Sequence, residues 1–77
     1  MNENDIYFIV GQNIKKYRKI KGWTQLKLAT QTYLSHEFIR KIESKSASRK
    51  QFSLDTAHKI SKALEVDIRD LFNPIDE

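Results

Sequence analysis

The stretch TQLKLATQTYLSHEFIRKI, residues 24–42, decides the fold of this chain of 77 residues. Thr24 and Ser35 both have the side chain of a helix N-cap, whose oxygen accepts a hydrogen bond from a free N–H in the first helical turn. Apolar residues follow each cap at the spacing of a helix that buries one face. They are Leu28 and Ala29 after the first cap, and Phe38, Ile39 and Ile42 after the second. The stretch therefore predicts two short helices joined by a sharp turn, at which the small Ala29 lets the two backbones approach closely.

The sequence resembles the lambda-repressor-like helix-turn-helix proteins over about residues 10–72. The resemblance rests on VGQNIKKYRKIKGWTQ for the first helix and its exit, LKLATQTYLSHEFIRKIE for the paired helices, and SLDTAHKISKALEVDIRDLF for the closing helices. The residues that match the family's pattern are Arg18, Gln25, Leu28, Ala29, Leu34, Ile39, Ile42 and Glu43. The resemblance implies an all-α fold, a compact five-helix DNA-binding domain that spans residues 1–77, with the helix-turn-helix at helices 2 and 3.

Three features depart from the family's pattern. The turn position that usually holds Gly is Tyr33, so a positive φ there costs roughly 1 kcal/mol or more. The apolar position before it is occupied by Thr32, which weakens the inner packing. The segment SKSASRKQF, residues 44–52, is about three residues longer than usual, so contacts of that segment carry over least well.

The first helix is expected to begin near Asn4 or Asp5 and to end at Gly22, which favours the positive φ of a helix C-terminus. Its predicted core face is Val10, Ile14 and Tyr17, extended by Ile6. Gly11 lies inside this helix, where we interpret it either as a site of close helix approach or as a boundary within the helix. Trp23, directly before the cap at Thr24, is expected to pack in the core rather than to stack on a base.

Two more helices close the domain. Ser53 or Asp55 caps a fourth helix, and Asp67 starts a fifth that runs from Ile68 to Phe72. The inner face of the fourth helix is predicted to be Leu54, Ala57, Ile60 and Leu64. Pro74 prevents the fifth helix from continuing.

Positive charge is concentrated on the part of the chain that contains the paired helices. The net charge of the chain is +4, but residues 12–50 hold eleven basic and two acidic side chains. The two flanking segments are both net negative. A basic stretch at this place is the electrostatic pattern of a phosphate-binding face, and its alternative is a solvated surface that only keeps the protein soluble.

Composition excludes several classes of protein. The chain has no cysteine, so it has neither a disulfide framework nor a thiolate metal site. His36 and His58 are predicted in different helices without ligands at metal-binding spacing, and no enzyme motif is present, so we expect no metal, no cofactor and no catalytic activity. No apolar run is long enough to cross a membrane, and the start MNENDIYFIVGQN lacks the pattern of a secretion signal. These features predict a cytoplasmic location.

The resemblance implies that the second helix of the pair enters the major groove of DNA with its N-terminal residues against base edges. The base-reading residues are then His36, Glu37, Arg40 and Lys41. Arg and Lys bond guanine O6 and N7, Glu accepts from cytosine N4, and His donates to a purine acceptor. For Glu37 the alternative is an ordinary ion pair with Lys41 along the helix.

Phosphate contacts are expected at the helix N-termini and in the following loop. Thr24, Gln25 and Ser35 stand at helix N-termini, where side chains and free N–H groups together bind anions. Their alternative role is capping, which is compatible with phosphate binding. In the loop, the candidates to bind phosphates or a narrow minor groove are Lys45, Arg49 and Lys50. The alternative is that they are loop cations with no DNA contact.

The resemblance also implies two structural roles. Arg18 and Glu43 match a pair that ties the first helix to the end of the recognition helix, so we expect a hydrogen-bonded salt bridge. A chain of this length buries only about 60% of the surface that its unfolded form exposes, which favours dimerisation. The predicted dimer contacts are Leu71, Phe72 and Ile75.

The expected function is that of a dimeric transcription repressor that binds an inverted repeat in double-stranded DNA. Within the same class, the alternatives are an antitoxin that represses its own operon and an activator of the restriction-modification controller type. From a different class, the alternative is a protein-interaction module that uses the fold only as a scaffold. The basic stretch argues against that module, because an adaptor does not need positive charge around a recognition helix.

Overall fold

Each helix of the described chain begins at a side chain that caps it. The computed structural model describes residues 5–45 and 51–74, which contain five helices and no strand. The helices are α1 Ile6–Ile20, α2 Gln25–Thr32, α3 His36–Ile42, α4 Leu54–Leu64 and α5 Ile68–Leu71. Their N-caps are Asp5, Thr24, Ser35, Ser53 and Asp67, each of which accepts a hydrogen bond from a backbone N–H of the first turn. The predicted all-α class and the predicted order of five helices are confirmed.

Three of these helices are followed by a residue with a positive φ angle. Gly22, after α1, has φ 75°, as its predicted role as the stop of that helix requires. Tyr33 after α2 and Glu65 after α4 have φ of 60° and 62°, and both lie in the left-handed region. At Tyr33 and at Glu65 the chain reverses sharply, so α2 packs on α3 and α4 packs on α5.

One hydrophobic core lies between the five helices. Its buried members are Val10, Ile14, Leu28, Ala29, Ile39, Ile42, Ile60, Leu64 and Leu71. A polar residue, Asn13, is buried among them and donates from Nδ2 to the carbonyl oxygens of Leu71 at 2.8 Å and Asn73 at 2.7 Å. Because the last carbonyls of a helix have no partner within it, this amide satisfies the end of α5 and fixes it on α1.

Three apolar residues are not where the sequence pattern placed them. Leu71, predicted at a dimer surface, has no exposed area because α5 packs it into the core. Ile6 and Leu54, predicted on core faces, are 44% and 68% exposed. Both are the first residues of their helices, and the core ends before reaching them. In addition, α5 ends at Leu71, with Phe72 as its C-cap rather than its last residue.

Three predicted site residues lie outside the described residues. They are Arg49, Lys50 and Ile75. Their roles stay predictions.

At Gly11, the backbone of α1 lies directly against the end of α3. A Cβ atom built at this position would overlap the Ile42 carbonyl oxygen and would lie 3.2 Å from the Ile42 carbonyl carbon. The predicted close approach is confirmed, and α1 runs through Gly11 without a break. Only glycine allows the end of α3 to rest directly on the backbone of α1.

Gly11→Ala is expected to lower the free energy of unfolding by about 2 kcal/mol, because its Cβ overlaps backbone atoms that cannot rotate away. This loss occurs although alanine favours a helix over glycine by about 1 kcal/mol. Urea unfolding of the two proteins measures this difference in the free energy of unfolding. Gly22→Ala is the matched control, since no atom lies within 4 Å of its added Cβ and only the positive φ, about 1 kcal/mol, opposes the change. A Gly11→Ala variant as stable as the wild type would contradict the contact between α1 and α3.

Candidate nucleic-acid interface

A tight turn fixes α3 relative to α2. The backbone N–H of Tyr33 donates to the carbonyls of Ala29 and Thr30, and the N–H of Leu34 donates to Ala29 at 3.1 Å. These bonds satisfy the last carbonyls of α2 in the manner of a left-handed C-cap. Ala29 is buried, so the two helices cross over a small side chain. The geometry is that of a helix-turn-helix.

The two departures within the turn have different consequences. The buried Thr32 hydroxyl donates to the Leu28 carbonyl at 2.8 Å, so this polar group is satisfied inside the core. Tyr33 does adopt the left-handed conformation, which costs an L-residue about 1 kcal/mol or more. Its side chain is 92% exposed and therefore recovers little of that cost by packing.

The two faces of α3 differ completely in exposure. Ile39 and Ile42 have no exposed area, and Phe38 is partly buried against the core. All four predicted base-reading residues are exposed, namely His36, Glu37, Arg40 and Lys41. The core thus holds one side of α3, while polar and charged groups occupy the side that faces away.

Glu37 is paired with two cations of its own helix. Its carboxylate accepts a hydrogen bond from Arg40 and lies 3.7 Å from the Lys41 Nζ. The Arg40 hydrogen bond holds the pKa of the Glu37 carboxyl below its ordinary value, so the group is ionised at neutral pH. The ion pair with Lys41 is therefore present, and an ionised Glu37 also keeps the acceptor oxygens that base recognition would use.

The N-termini of α2 and α3 present the predicted phosphate ligands. Thr24 and Ser35 are exposed, and each hydroxyl caps its helix at 3.0 Å, by accepting from Lys27 N–H and Phe38 N–H respectively. Their capping role is therefore realised. A capped helix end that remains exposed also retains the partial positive charge that attracts anions.

A buried carboxylate ties three elements together behind this face. Arg18 donates from Nε and Nη2 to the two oxygens of Glu43, at 2.8 Å and 2.9 Å, so the predicted salt bridge is present and bidentate. Arg18 also donates to the Trp23 carbonyl at 2.7 Å. Gln25 donates from Nε2 to Glu43 at 3.0 Å. The side chains of Arg18 and Glu43 are only 8% and 2% exposed, so water screens their attraction weakly.

Trp23 packs against the core, as predicted, and its ring makes cation–π contacts with two lysines. The Nζ atoms of Lys21 and Lys27 lie 4.9 Å and 5.8 Å from the ring centroid. Lys27 is exposed in the first turn of α2, and its backbone N–H donates to the hydroxyl of Thr24. We did not predict Lys27 as a site residue, although its position three residues after the cap was available as a signal.

Lys45 is exposed directly after α3. Within the described ranges no group of three His, Cys, Asp or Glu side chains is arranged to hold a metal ion. In the same part of the chain, every helix is too short or too polar to cross a bilayer.

A helix-turn-helix whose second helix is packed on one side and polar on the other defines a DNA-binding domain of the helix-turn-helix class. The family model described as helix-turn-helix matches residues 14–71. The chain belongs to this family of lambda-repressor-like domains, whose members are DNA-binding transcription regulators.

Similar proteins are transcription regulators. The chain is 32% identical over 69 residues to the HTH-type transcriptional regulator SinR of Bacillus licheniformis, a match covering 90% of this chain and 60% of that protein. It is similar to the hypothetical transcription factor NHTF from Neisseria, with a TM-score of 0.84, 28% identity, and 96% and 82% of the two chains covered. It is also similar to SinR, the master regulator for biofilm formation, crystallised in complex with DNA. That match has a TM-score of 0.74, 30% identity, and 83% and 98% coverage.

Arg18→Ala is expected to lower the free energy of unfolding by about 3 kcal/mol or more, because it leaves the Glu43 carboxylate buried without its cation. Chemical denaturation measures the loss. Arg40→Ala is the matched control: it also removes an arginine from a glutamate, but at an exposed pair, and stability should stay nearly unchanged. Equal effects of the two substitutions would show that burial does not govern the Arg18 pair.

Proposed function

We propose that this chain is a transcription repressor that binds, as a homodimer, an inverted-repeat operator in double-stranded DNA. The exposed face of α3 is the observation that carries the proposal. Its four polar or charged side chains offer hydrogen-bond donors and acceptors, while its opposite side is held by the core. A helix supported in this way can enter the major groove without losing its place in the fold.

The side chains of α3 match the chemistry of base edges. Arg40 and Lys41 supply donors for guanine O6 and N7, Glu37 supplies an acceptor for cytosine N4, and His36 supplies a donor for purine acceptors. Arg40 uses Nη2 for Glu37 and has further guanidinium N–H groups. The ion pair thus orients Arg40 and still leaves donors for a base.

The surroundings of α3 match the chemistry of the DNA backbone. Thr24 and Gln25 mark the start of α2, Ser35 marks the start of α3, and Lys45 follows its end. In this proposal they bind phosphates and thereby set the depth and angle of α3 in the groove. Arg49 and Lys50 are proposed for the same backbone or for the minor groove.

Repression follows from occupancy alone, because a protein bound over a short operator excludes polymerase without any further contact. An inverted repeat requires a two-fold symmetric protein. We propose that the apolar patch formed by Ile6, Leu54 and Phe72 receives a second copy of the chain. These side chains line one groove on α1, α4 and the end of α5, and none of them belongs to α2 or α3. Of the three predicted dimer contacts, Phe72 lies in this patch, Leu71 is buried in the core, and Ile75 remains a proposed contact.

Arg40→Ala is expected to weaken binding to the operator by about 1 to 3 kcal/mol and binding to random duplexes very little, because a base contact discriminates between sequences. The operator is first selected from a pool of random duplexes at fixed salt. Fluorescence anisotropy then measures both affinities.

Lys45→Ala is the matched control for Arg40→Ala. It should weaken both duplexes alike and reduce the salt slope by about one, since a phosphate contact releases a counterion and reads no sequence. If Arg40→Ala weakens both duplexes equally, its place at a base edge is wrong. If no duplex is enriched, the proposed function itself fails, and a protein-interaction module takes its place.

Leu54→Glu is expected to convert the dimer to a monomer, since it places a charge in the apolar patch. The fold should be retained, because Leu54 is 68% exposed in the single chain. Ile20→Glu is the control at a residue that is 70% exposed and outside the patch. Sedimentation equilibrium reads the association state. A wild-type chain that remains monomeric at every concentration and gives an asymmetric footprint would contradict the dimer.

A further inference from the structure

Tyr33 combines a strained backbone with an almost fully exposed ring. It lies in the left-handed region at φ 60°, where glycine is favoured, and its side chain is 92% exposed. Among the described residues, neither its ring nor its hydroxyl has a partner. Nothing within this part of the chain explains why a large aromatic side chain occupies this position.

Glu65 provides an internal comparison. It is the other non-glycine residue with positive φ in the described chain, at 62°. Its carboxylate accepts a hydrogen bond from Lys21 at 2.7 Å and links the end of α4 to the end of α1. The side chain of Glu65 therefore has a contact inside the fold, whereas that of Tyr33 points only to the surroundings.

The position of Tyr33 in the chain indicates which kind of molecule its side chain would contact. It lies two residues before Ser35, the N-cap of α3, and so belongs to the turn at the end of α3 that would lead into the groove. Tyrosine carries its hydroxyl farther from the backbone than serine or threonine do. Tyrosine hydroxyls are among the groups that donate to phosphate oxygens in protein–DNA complexes.

We propose that Tyr33 is a DNA-backbone contact, whose hydroxyl donates a hydrogen bond to a phosphate at the edge of the groove that α3 enters. This inference rests on the proposed function. The contact is electrically neutral, so it adds affinity without releasing a counterion, unlike a contact from lysine or arginine. It also reads no base, and therefore strengthens binding to all duplexes alike.

Tyr33→Phe is the first test, because it removes only the hydroxyl. Affinity should fall about 3- to 10-fold per half-site, the range of one hydrogen bond, on the selected operator and on a random duplex alike. The slope of log affinity against log salt should stay at the wild-type value. Thermal stability should also stay at the wild-type value, since the hydroxyl has no partner in the described chain.

Tyr33→Gly is the second test, because it relieves the backbone while removing the ring. Its melting temperature should equal or exceed that of the wild type, although its DNA affinity falls at least as far as that of Tyr33→Phe. Glu65→Gly is the matched control at the same backbone conformation, and its DNA affinity should be that of the wild type. If Tyr33→Gly keeps or raises the melting temperature while its DNA affinity falls, Tyr33 contacts DNA. A purely structural role would not lower the affinity of a variant that is as stable as the wild type.

Two results overturn the inference. If the wild type binds the operator and Tyr33→Phe binds equally well on both duplexes, the hydroxyl contact does not exist, while the proposed function stands. If the wild type enriches no duplex, the proposed function fails and the contact fails with it.

Discussion

The buried carboxylate of Glu43 is the point at which the first three helices are tied together. Arg18 reaches it from α1, Gln25 reaches it from α2, and Glu43 is itself the C-cap of α3. A buried charge pair need not add much net stability, because both ions lose their hydration. It does favour one arrangement strongly, since any other arrangement leaves a charge unpaired in the interior. The orientation of α3 relative to α1 and α2 depends on this constraint.

Gln25 connects that interior network with the exterior of the domain. Its Nε2 atom has two hydrogens, and the structure assigns one of them to Glu43. The other hydrogen and the backbone N–H groups at the start of α2 are the donors that a phosphate would meet. The network that orients α3 therefore ends at the surface where we propose that DNA is held. Under the proposed function, the same group of hydrogen bonds would set both the depth and the tilt of α3 in the groove.

The helix starts were predictable because capping is local: Thr24, Ser35, Ser53 and Asp67 act on N–H groups two or three residues away. The exposed face of α3 followed from periodicity for the same reason. Periodicity could not show where the core ends, so Ile6 and Leu54 were placed inside and Leu71 outside. Hydrophobic periodicity also could not predict contacts between residues that are distant in sequence. The Arg18–Glu43 pair was predicted only from the family resemblance. The hydrogen bonds from Asn13 to the end of α5 had no local signal in the sequence.

The connection between α3 and α4 is anchored at both ends on the same helix. Gln12 of α1 donates to the Glu43 carbonyl at 3.0 Å, and Tyr7 of α1 packs edge to face on Phe52 with ring centroids 5.2 Å apart. Because α1 fixes both ends, extra residues between them cost only closure entropy, about 0.6 kcal/mol for each doubling of length. We therefore expect insertions here to leave the five-helix framework intact. Under the proposed function, the length of this connection sets how far its cations reach along DNA, independently of the five helices.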